Sequence, residues 1–251
     1  MPARRHRPVL VAILVVAAVA FIAVVAGAVA PFVRSPLSIV RPDAAAPTWG
    51  RPAALPAAVT KPRGEGITAL VDADWLAAAS ARSGIPKRAL AAYAGAAIRL
   101  DGEQPDCGIS WNTLAAIGFV ESRHGSYRGS ALAASGKITP GIYGIALDGA
   151  STAHIPDSDN GKYDRDPEYD RAVGPMQMIP QSWRNWRVDG NGDGRRDPQN
   201  IDDAVLAAAG YLCRAREDLS TEDGWRDMIA TYNSAPSYLA KVALQATIYG
   251  S

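Results

Sequence analysis

The sequence predicts a mostly α-helical domain, preceded by an apolar N-terminal segment and a proline-rich linker. Residues 67–251 contain several runs rich in Ala and Leu that start at capping residues, a pattern typical of helices. No alternating apolar pattern is strong enough to predict a central sheet, although a short hairpin near 138–147 is compatible with the sequence. These 185 residues suffice for one domain with its own core.

The predicted helices follow local start signals. Asp72 or Asp74 can cap the first, Ser110 can cap the third, and Asp202 or Asp203 opens the fourth. The predicted spans are 75–83, 87–100, 111–121, 204–216, 225–232 and 238–248. Residues 125–172, rich in Gly, Ser, Asp and Pro, are predicted to form a long surface loop.

The composition excludes several classes of protein. With 26 Lys and Arg against 25 Asp and Glu, the net charge is +1, so the chain is no polycation built for nucleic acid. The hydrophobic fraction of 48% excludes a wholly disordered chain. Two cysteines cannot form a disulfide-rich scaffold or a four-thiolate zinc site.

The N-terminal segment predicts a membrane anchor. Residues 9–30 are almost purely Val, Ala, Ile, Leu and Phe, long enough for a helix to cross a bilayer. Arg4, Arg5 and Arg7 lie in a basic tail at 1–8, which the positive-inside rule keeps in the cytoplasm. The alternative is a secretory signal cleaved after Ala28-Val29-Ala30, although Pro31 would hinder that cleavage.

Residues 31–66 are predicted to form an extended linker, because they contain seven prolines with Ala-rich sequence between them. The folded domain is therefore predicted to span 67–251.

Glu121 is the first candidate catalytic residue. Leu114, Ile117 and Gly118 share its helical face, so this carboxyl ends an apolar stripe. A carboxyl in an apolar pocket has a raised pKa and can act as a general acid. The alternative interpretation is a helix-end Glu in solvent, paired with Arg123.

Segments 85–93, 111–125, 172–183 and 230–234 together resemble the membrane-bound lytic transglycosylases of the B type. They include Glu121-Ser122-Arg123-His124-Gly125, Gly174-Pro175-Met176-Gln177 and Tyr232-Asn233, in the family's order. The resemblance implies a lysozyme-like helical fold. It also implies cleavage of the β-1,4 bond between N-acetylmuramic acid and N-acetylglucosamine in peptidoglycan, leaving 1,6-anhydromuramic ends. The domain would then face the wall from the bacterial cytoplasmic membrane, as a single-pass protein.

The same resemblance assigns roles to individual residues. Glu121 would serve first as acid and then as base, and Ser122, Met176, Gln177, Tyr232 and Asn233 would bind substrate, with Tyr232 bonding near the catalytic carboxyl. The alternatives are a local helix-end hydrogen bond for Ser122 and packing against the catalytic helix for Met176. Acids of the long loop, such as Asp157, Asp164 and Asp170, are expected to be solvated charges. If one of them reached the site, a hydrolytic muramidase would become the alternative. A further alternative is a catalytically silent wall-binding module.

Residues 189–203 predict a calcium loop. Asp189, Asn191 and Asp193 supply oxygen at positions 1, 3 and 5, with glycine at position 6, as in an EF-hand. Position 12 is Asn200 instead of Glu, but the resembling family closes a longer loop with an acid at position 15, here Asp203. The predicted ligands of a structural Ca²⁺ are Asp189, Asn191, Asp193, the Arg195 carbonyl and Asp203. The alternative is an Asp-Gly turn without metal; no organic cofactor is predicted.

Cys107 and Cys213 are the only thiols. Outside the membrane such a pair tends to oxidise, so the sequence predicts a disulfide, with two buried free thiols as the alternative.

Overall fold

The computed structural model describes residues 46–214 and 218–251, and this part of the chain contains seven α-helices, three short 3-10 helices and one short hairpin. The helices are α1 Ala73–Ser83, α2 Lys87–Glu103, α3 Trp111–Ser122, α4 Pro180–Trp186, α5 Ile201–Cys213, α6 Glu222–Tyr232 and α7 Pro236–Gly250. Strands β1 Ala131–Leu132 and β2 Ile138–Thr139 pair antiparallel. The predicted mostly helical fold is confirmed.

The core forms around α2 and α3. Helix α2 packs against α3 and α5, and α3 packs in turn against α7. Tyr93, Leu114, Trp183, Leu212 and Trp225 are fully buried between these helices. This packing places the C-terminal end of α3 beside α7 and the loops that follow.

Local capping accounts for some helix starts and not for others. Asp72 caps α1, because its carboxylate accepts from the N–H groups of Asp74 and Trp75. Ser110 occupies the N-cap position of α3, but its hydroxyl pairs with the Thr113 hydroxyl at 3.0 Å instead of capping the backbone.

Helix α5 begins earlier than predicted. Asn200 is its cap, since its side chain accepts from the Asp202 N–H at 2.9 Å, so Asp202 and Asp203 lie inside the first turn. The side chain of Asp202 forms a bidentate pair with Arg88 of α2. The start of α5 is thus set by a local cap, and the carboxylate of Asp202 is engaged by a distant arginine instead of capping the helix.

The hairpin also differs from the prediction, since its strands pair at 131–132 and 138–139. Residues 142–147 do not fold back on this hairpin. Their backbone instead bonds the segment before α4: Gly144 N–H to Ala172 O and Gly174 N–H to Ile142 O. The backbone of residues 142–147, which was predicted to pair within a local hairpin, therefore pairs with a segment about 30 residues further along the chain.

The domain begins before residue 67. Residues 46–66 belong to the same compact unit as the helices, and the buried Asn112 of α3 bonds the backbone of Arg51 and Ala53. The indole of Trp111 donates to Ala54 O at 3.2 Å. The predicted boundary therefore differs from the structure, because side chains of α3 satisfy backbone groups of residues 51, 53 and 54 and hold this stretch on the helices.

Two N-terminal predictions concern residues outside the described part: the segment 9–30 and the linker up to residue 45. Among the helices described, none has the length and apolar character to cross a membrane.

The predicted disulfide is confirmed. Cys107, just before α3, bonds Cys213 at the end of α5, with their Cα atoms 5.4 Å apart.

Candidate active site

Glu121 lies at the C-terminal end of α3, at the point where the helix leaves the core. Residues from Trp111 to Gly118 are buried, and Glu121 itself is half-buried. The helix ends at Ser122, and its C-cap Arg123 has a left-handed backbone with φ 52°. The Arg123 guanidinium lies over the Phe119 ring, 5.5 Å from its centroid, and makes no ion pair with Glu121. This geometry favours the interpretation of Glu121 as a carboxyl in an apolar environment over that of an exposed glutamate paired with Arg123.

Burial raises the pKa of Glu121 to about 7. A smaller opposing effect comes from Tyr238, whose hydroxyl donates to Glu121 Oε1 at 2.7 Å and so lowers the pKa. At neutral pH both the protonated and the charged form of this carboxyl are therefore populated. A pKa near the working pH suits a group that first donates a proton and then accepts one.

Tyr238, at the first turn of α7, is the functional residue that sequence reasoning missed. The prediction gave the carboxyl contact to Tyr232, but the Tyr232 hydroxyl donates to Met176 O at 2.6 Å. The two tyrosine rings stack with an interplanar angle of 9°. A second tyrosine soon after Tyr232-Asn233 is the only signal that the sequence offered.

Ser122 is buried and its hydroxyl faces the protein interior. It donates to Pro175 O at 2.7 Å and accepts from the Gly125 N–H at 2.9 Å. The structure therefore shows the alternative of a helix-end hydrogen bonder instead of a substrate contact, and Ser122 ties the end of α3 to the turn before α4. Met176 is fully buried in the core, so it too is removed from the substrate-binding set.

Gln177 lies where two cavities meet. Its backbone is left-handed, with φ 47°, and its side-chain amide donates to Gly174 O at 2.9 Å. Gly174 is required in this turn, because its φ is 72° and a Cβ there would overlap Pro198 O.

The two cavities form a groove. The carboxyl cavity, about 540 Å³, is lined by Glu121, Tyr143, Gln177 and others. The neutral cavity, about 770 Å³, is lined by Gln177, Tyr232, Asn233 and small polar and apolar residues. Within the described chain, Glu121 is the only acidic residue in either lining.

The acids of the long loop lie elsewhere. Asp164 and Asp170 are buried, so the expectation of solvated charges is wrong for both. Asp170 accepts from the N–H and hydroxyl of Ser158, and Asp164 accepts from backbone N–H groups. Asp157, Asp159 and Asp164 place one oxygen each within 4.8 Å of one another, a spacing that a cation could bridge.

A buried His124 supports the end of α3. Its Nδ1 lies 3.0 Å from the Tyr93 hydroxyl and its Nε2 lies 2.9 Å from the Tyr249 hydroxyl. Burial lowers the pKa of His124 to about 4, so the ring is neutral at pH 7 and links α2, α3 and α7 by hydrogen bonds.

The predicted calcium loop folds around its own acids. Both carboxylate oxygens of Asp189 accept backbone N–H groups, from Gly192, Asp193 and Gly194. Asp203, which is buried, reaches the same loop from α5 and accepts from the N–H groups of Gly190 and Asp197. Burial, with a further contribution from the negative charge of Asp189, raises the pKa of Asp203 to about 6. Asp189 and Asp203 thus both bond the backbone of this loop, and its carboxylate, amide and carbonyl oxygens are of the type that Ca²⁺ prefers.

The model of the transglycosylase SLT domain family matches residues 168–247. This span contains Gln177, the loop at 189–203, Tyr232, Asn233 and Tyr238, but not Glu121. The match supports the lytic transglycosylase, lysozyme-like family in general and does not single out the B type. No curated protein matches the chain.

Proposed function

We propose that this protein cleaves the β-1,4 bond between N-acetylmuramic acid and N-acetylglucosamine of peptidoglycan by lytic transglycosylation. The observation that carries the proposal is Glu121: a half-buried carboxyl with a pKa near 7, lining a groove in which the described residues place no second acid. The family match supports the same substrate class.

The reaction needs one residue in two protonation states. Glu121 donates its proton to the glycosidic oxygen as the bond to the muramic C1 breaks, and the sugar's own N-acetyl group stabilises the positive C1. The Glu121 carboxylate then accepts the proton of the C6 hydroxyl while O6 bonds C1, which closes the 1,6-anhydro ring and restores the acid. Tyr238 holds the carboxylate between these steps, and burial and the nearby charge of Glu121 keep its own pKa well above 10.

The surrounding residues supply binding. Gln177 and Asn233 offer amide groups to the sugar N-acetyl and hydroxyl groups, and Asn233 is exposed in the neutral cavity. A hydrolytic muramidase would require a second carboxylate near the bond. Because Asp157, Asp164 and Asp170 do not line the groove, the geometry favours the transglycosylase.

The test is the set of products from purified peptidoglycan, identified by mass spectrometry. Wild-type protein should release anhydromuramic ends, one water lighter than hydrolysed ends. Glu121→Gln should lose about 10²–10⁴-fold in turnover and still bind glycan. Glu103→Gln, an exposed glutamate at the end of α2, is the matched control and should retain activity. Reducing-end products would make the protein a hydrolase, and binding without cleavage would make it a silent module.

We also propose that residues 189–203 bind a structural Ca²⁺ through Asp189, Asn191, Asp193, the Arg195 carbonyl and Asp203. The support is the placement of buried Asp203 against the loop that contains Asp189. Calcium should raise the melting temperature of the protein, because a ligand that binds only the folded state stabilises it.

A pair of variants tests this assignment. Asp189→Asn with Asp193→Asn should abolish the calcium-dependent rise, whereas Asp159→Asn, in the other acidic cluster, should retain it. An unchanged melting curve between chelator and millimolar calcium would contradict the site. Loss of the rise in Asp159→Asn alone would place the calcium in the other cluster.

Finally, we propose that residues 9–30 anchor the protein in the bacterial cytoplasmic membrane, with the catalytic domain on the wall side. The length of the apolar run and the preceding arginines support this. N-terminal sequencing of protein extracted from membranes should find the segment intact. A mature form that starts after residue 27 or 30 and is released by salt would contradict the anchor.

A further inference from the structure

The two halves of the groove differ in charge. Three cations, Arg123, Arg128 and Lys241, line the carboxyl cavity together with Glu121. Within the described chain, the neutral cavity has no ionisable side chain in its lining except tyrosine. The sugar rings themselves are neutral, so the cations suit some other part of the substrate that lies near Glu121.

These cations are free to bind a ligand. All three are exposed, and no carboxylate of the described residues lies within 4.0 Å of their nitrogens. The guanidinium of Arg128 lies over the Tyr127 ring, 5.2 Å from its centroid. Stacking on a ring holds a guanidinium in place and leaves its edge N–H groups available for a carboxylate.

Two of these three cations lie on backbone in an energetically unfavourable conformation. Arg123 and Arg128 have φ of 52° and 51°, in the left-handed region where glycine is favoured. Residues held in such conformations cluster at functional sites.

The same cavity has an apolar rim. Tyr127, Ile145 and Leu244 line it and are 41%, 57% and 49% exposed. Large exposed apolar side chains grouped in one place indicate a binding surface. A ligand for this end of the groove should therefore combine negative charge with small apolar groups.

We propose that the carboxyl cavity binds the peptide stem of the muramic acid unit, so that the protein prefers strands that still bear stems. The stem is attached through the lactyl group of the sugar that Glu121 acts on, and it offers carboxylates and alanine methyl groups. Arg128 and Lys241 bind the carboxylates, with Arg123 beside them, and the rim of Tyr127, Ile145 and Leu244 packs the methyl groups. This inference rests on the proposed function.

The experiment compares kcat/KM on stem-bearing glycan strands with kcat/KM on strands from which an amidase has removed the stems. Wild-type protein should favour the stem-bearing strands. Arg128→Gln and Lys241→Gln should each lower this preference ratio by about two- to fivefold, the range of exposed ion pairs. Raising the salt concentration should lower it further, because exposed charges are screened.

Controls are available on the same surface. Leu244→Ser should lower the ratio, whereas Ile248→Ser, one turn further along α7, 50% exposed and outside the cavity, should not. Arg82→Gln, an exposed cation on α1, is the control for charge. If Arg128→Gln folds poorly, Arg128→Gly removes the same guanidinium and suits φ 51°.

The outcomes separate the two proposals. Equal cleavage of both substrates by wild-type protein, with anhydromuramic products, would overturn the stem-binding inference and leave the proposed function intact. A ratio that Arg128→Gln and Lys241→Gln do not change would also overturn it. Cleavage of neither substrate would overturn the proposed function itself.

Discussion

The hydroxyl of Tyr238 lowers the pKa of Glu121 against the larger effect of burial, and Tyr238→Phe removes only that hydroxyl. The bond to Glu121 Oε1 is 2.7 Å long and stabilises the charged carboxylate. A hydrogen bond to a charged group contributes about 1.5–3 kcal/mol, and 1.36 kcal/mol corresponds to one pKa unit. The variant should therefore raise the pKa of Glu121 by about one to two units, from near 7 to about 8–9.

The assay is the pH dependence of kcat/KM on purified peptidoglycan. Glu121 must be protonated for the first step, so activity of the wild type should fall as pH rises through about 7. In Tyr238→Phe the pH at which activity falls should be higher. The maximum rate should decrease, because the Glu121 carboxylate has lost the hydrogen bond that orients it. Tyr232→Phe is the matched control, since its hydroxyl donates to Met176 O and its loss should leave the midpoint in place. A midpoint that stays at pH 7 in Tyr238→Phe, or that moves in Tyr232→Phe alone, would refute this reasoning.

Four further predictions concern stability, each measured by urea or thermal unfolding. Because the folded pKa of Glu121 exceeds its ordinary value of 4.5, the contribution of this group to stability is full below about pH 4.5 and is lost as pH rises to 7. Glu121→Gln should remove that loss, so the variant should be more stable than wild type at pH 8 by up to about 3 kcal/mol. An equal difference in stability between variant and wild type at pH 5 and at pH 8 would contradict this prediction. Ser122→Ala leaves the buried Pro175 carbonyl without its donor and should cost about 1–3 kcal/mol, with a lower kcat; no loss of either would count against its positioning role. Gly174→Ala should cost roughly 2–4 kcal/mol, because its Cβ overlaps Pro198 O, whereas Gly194→Ala, with φ 80° and open space around it, should cost only about 1–2; similar losses would contradict the overlap argument. Replacing Cys107 and Cys213 by Ala opens a link between residues 106 positions apart and should cost on the order of 4–5 kcal/mol, and an unchanged unfolding midpoint would refute that estimate.

Local features of the chain were predictable because their causes are local. Ala- and Leu-rich runs with caps indicated the helices, and the start of α1 at Asp72 needed only the residues beside it. Glu121 was recognisable because the residues of its helical face lie within one turn or two of it. The disulfide followed from the presence of only two cysteines.

The errors of the prediction have a common origin in distant contacts. Proline content indicated an extended linker, but Asn112 binds the backbone of residues 51 and 53 and holds the segment on the domain. Motif position placed Ser122 and Met176 at the substrate, but packing turns both inward. In each case the partner is more than 50 residues away, where no pattern of propensity or spacing reaches.

Sequence alone was enough to indicate a helical domain with one carboxyl at the end of an apolar face and an oxygen-rich loop before α5, because period and spacing are properties of a short segment. Tertiary structure was needed to show which hydroxyl reaches that carboxyl and what charge surrounds it. Tyr238 lies 117 residues from Glu121, and Lys241 joins Arg123 and Arg128 only because α7 packs along α3. The pKa of Glu121 depends on burial and on that hydrogen bond, and both arise when helices from the two halves of the domain meet.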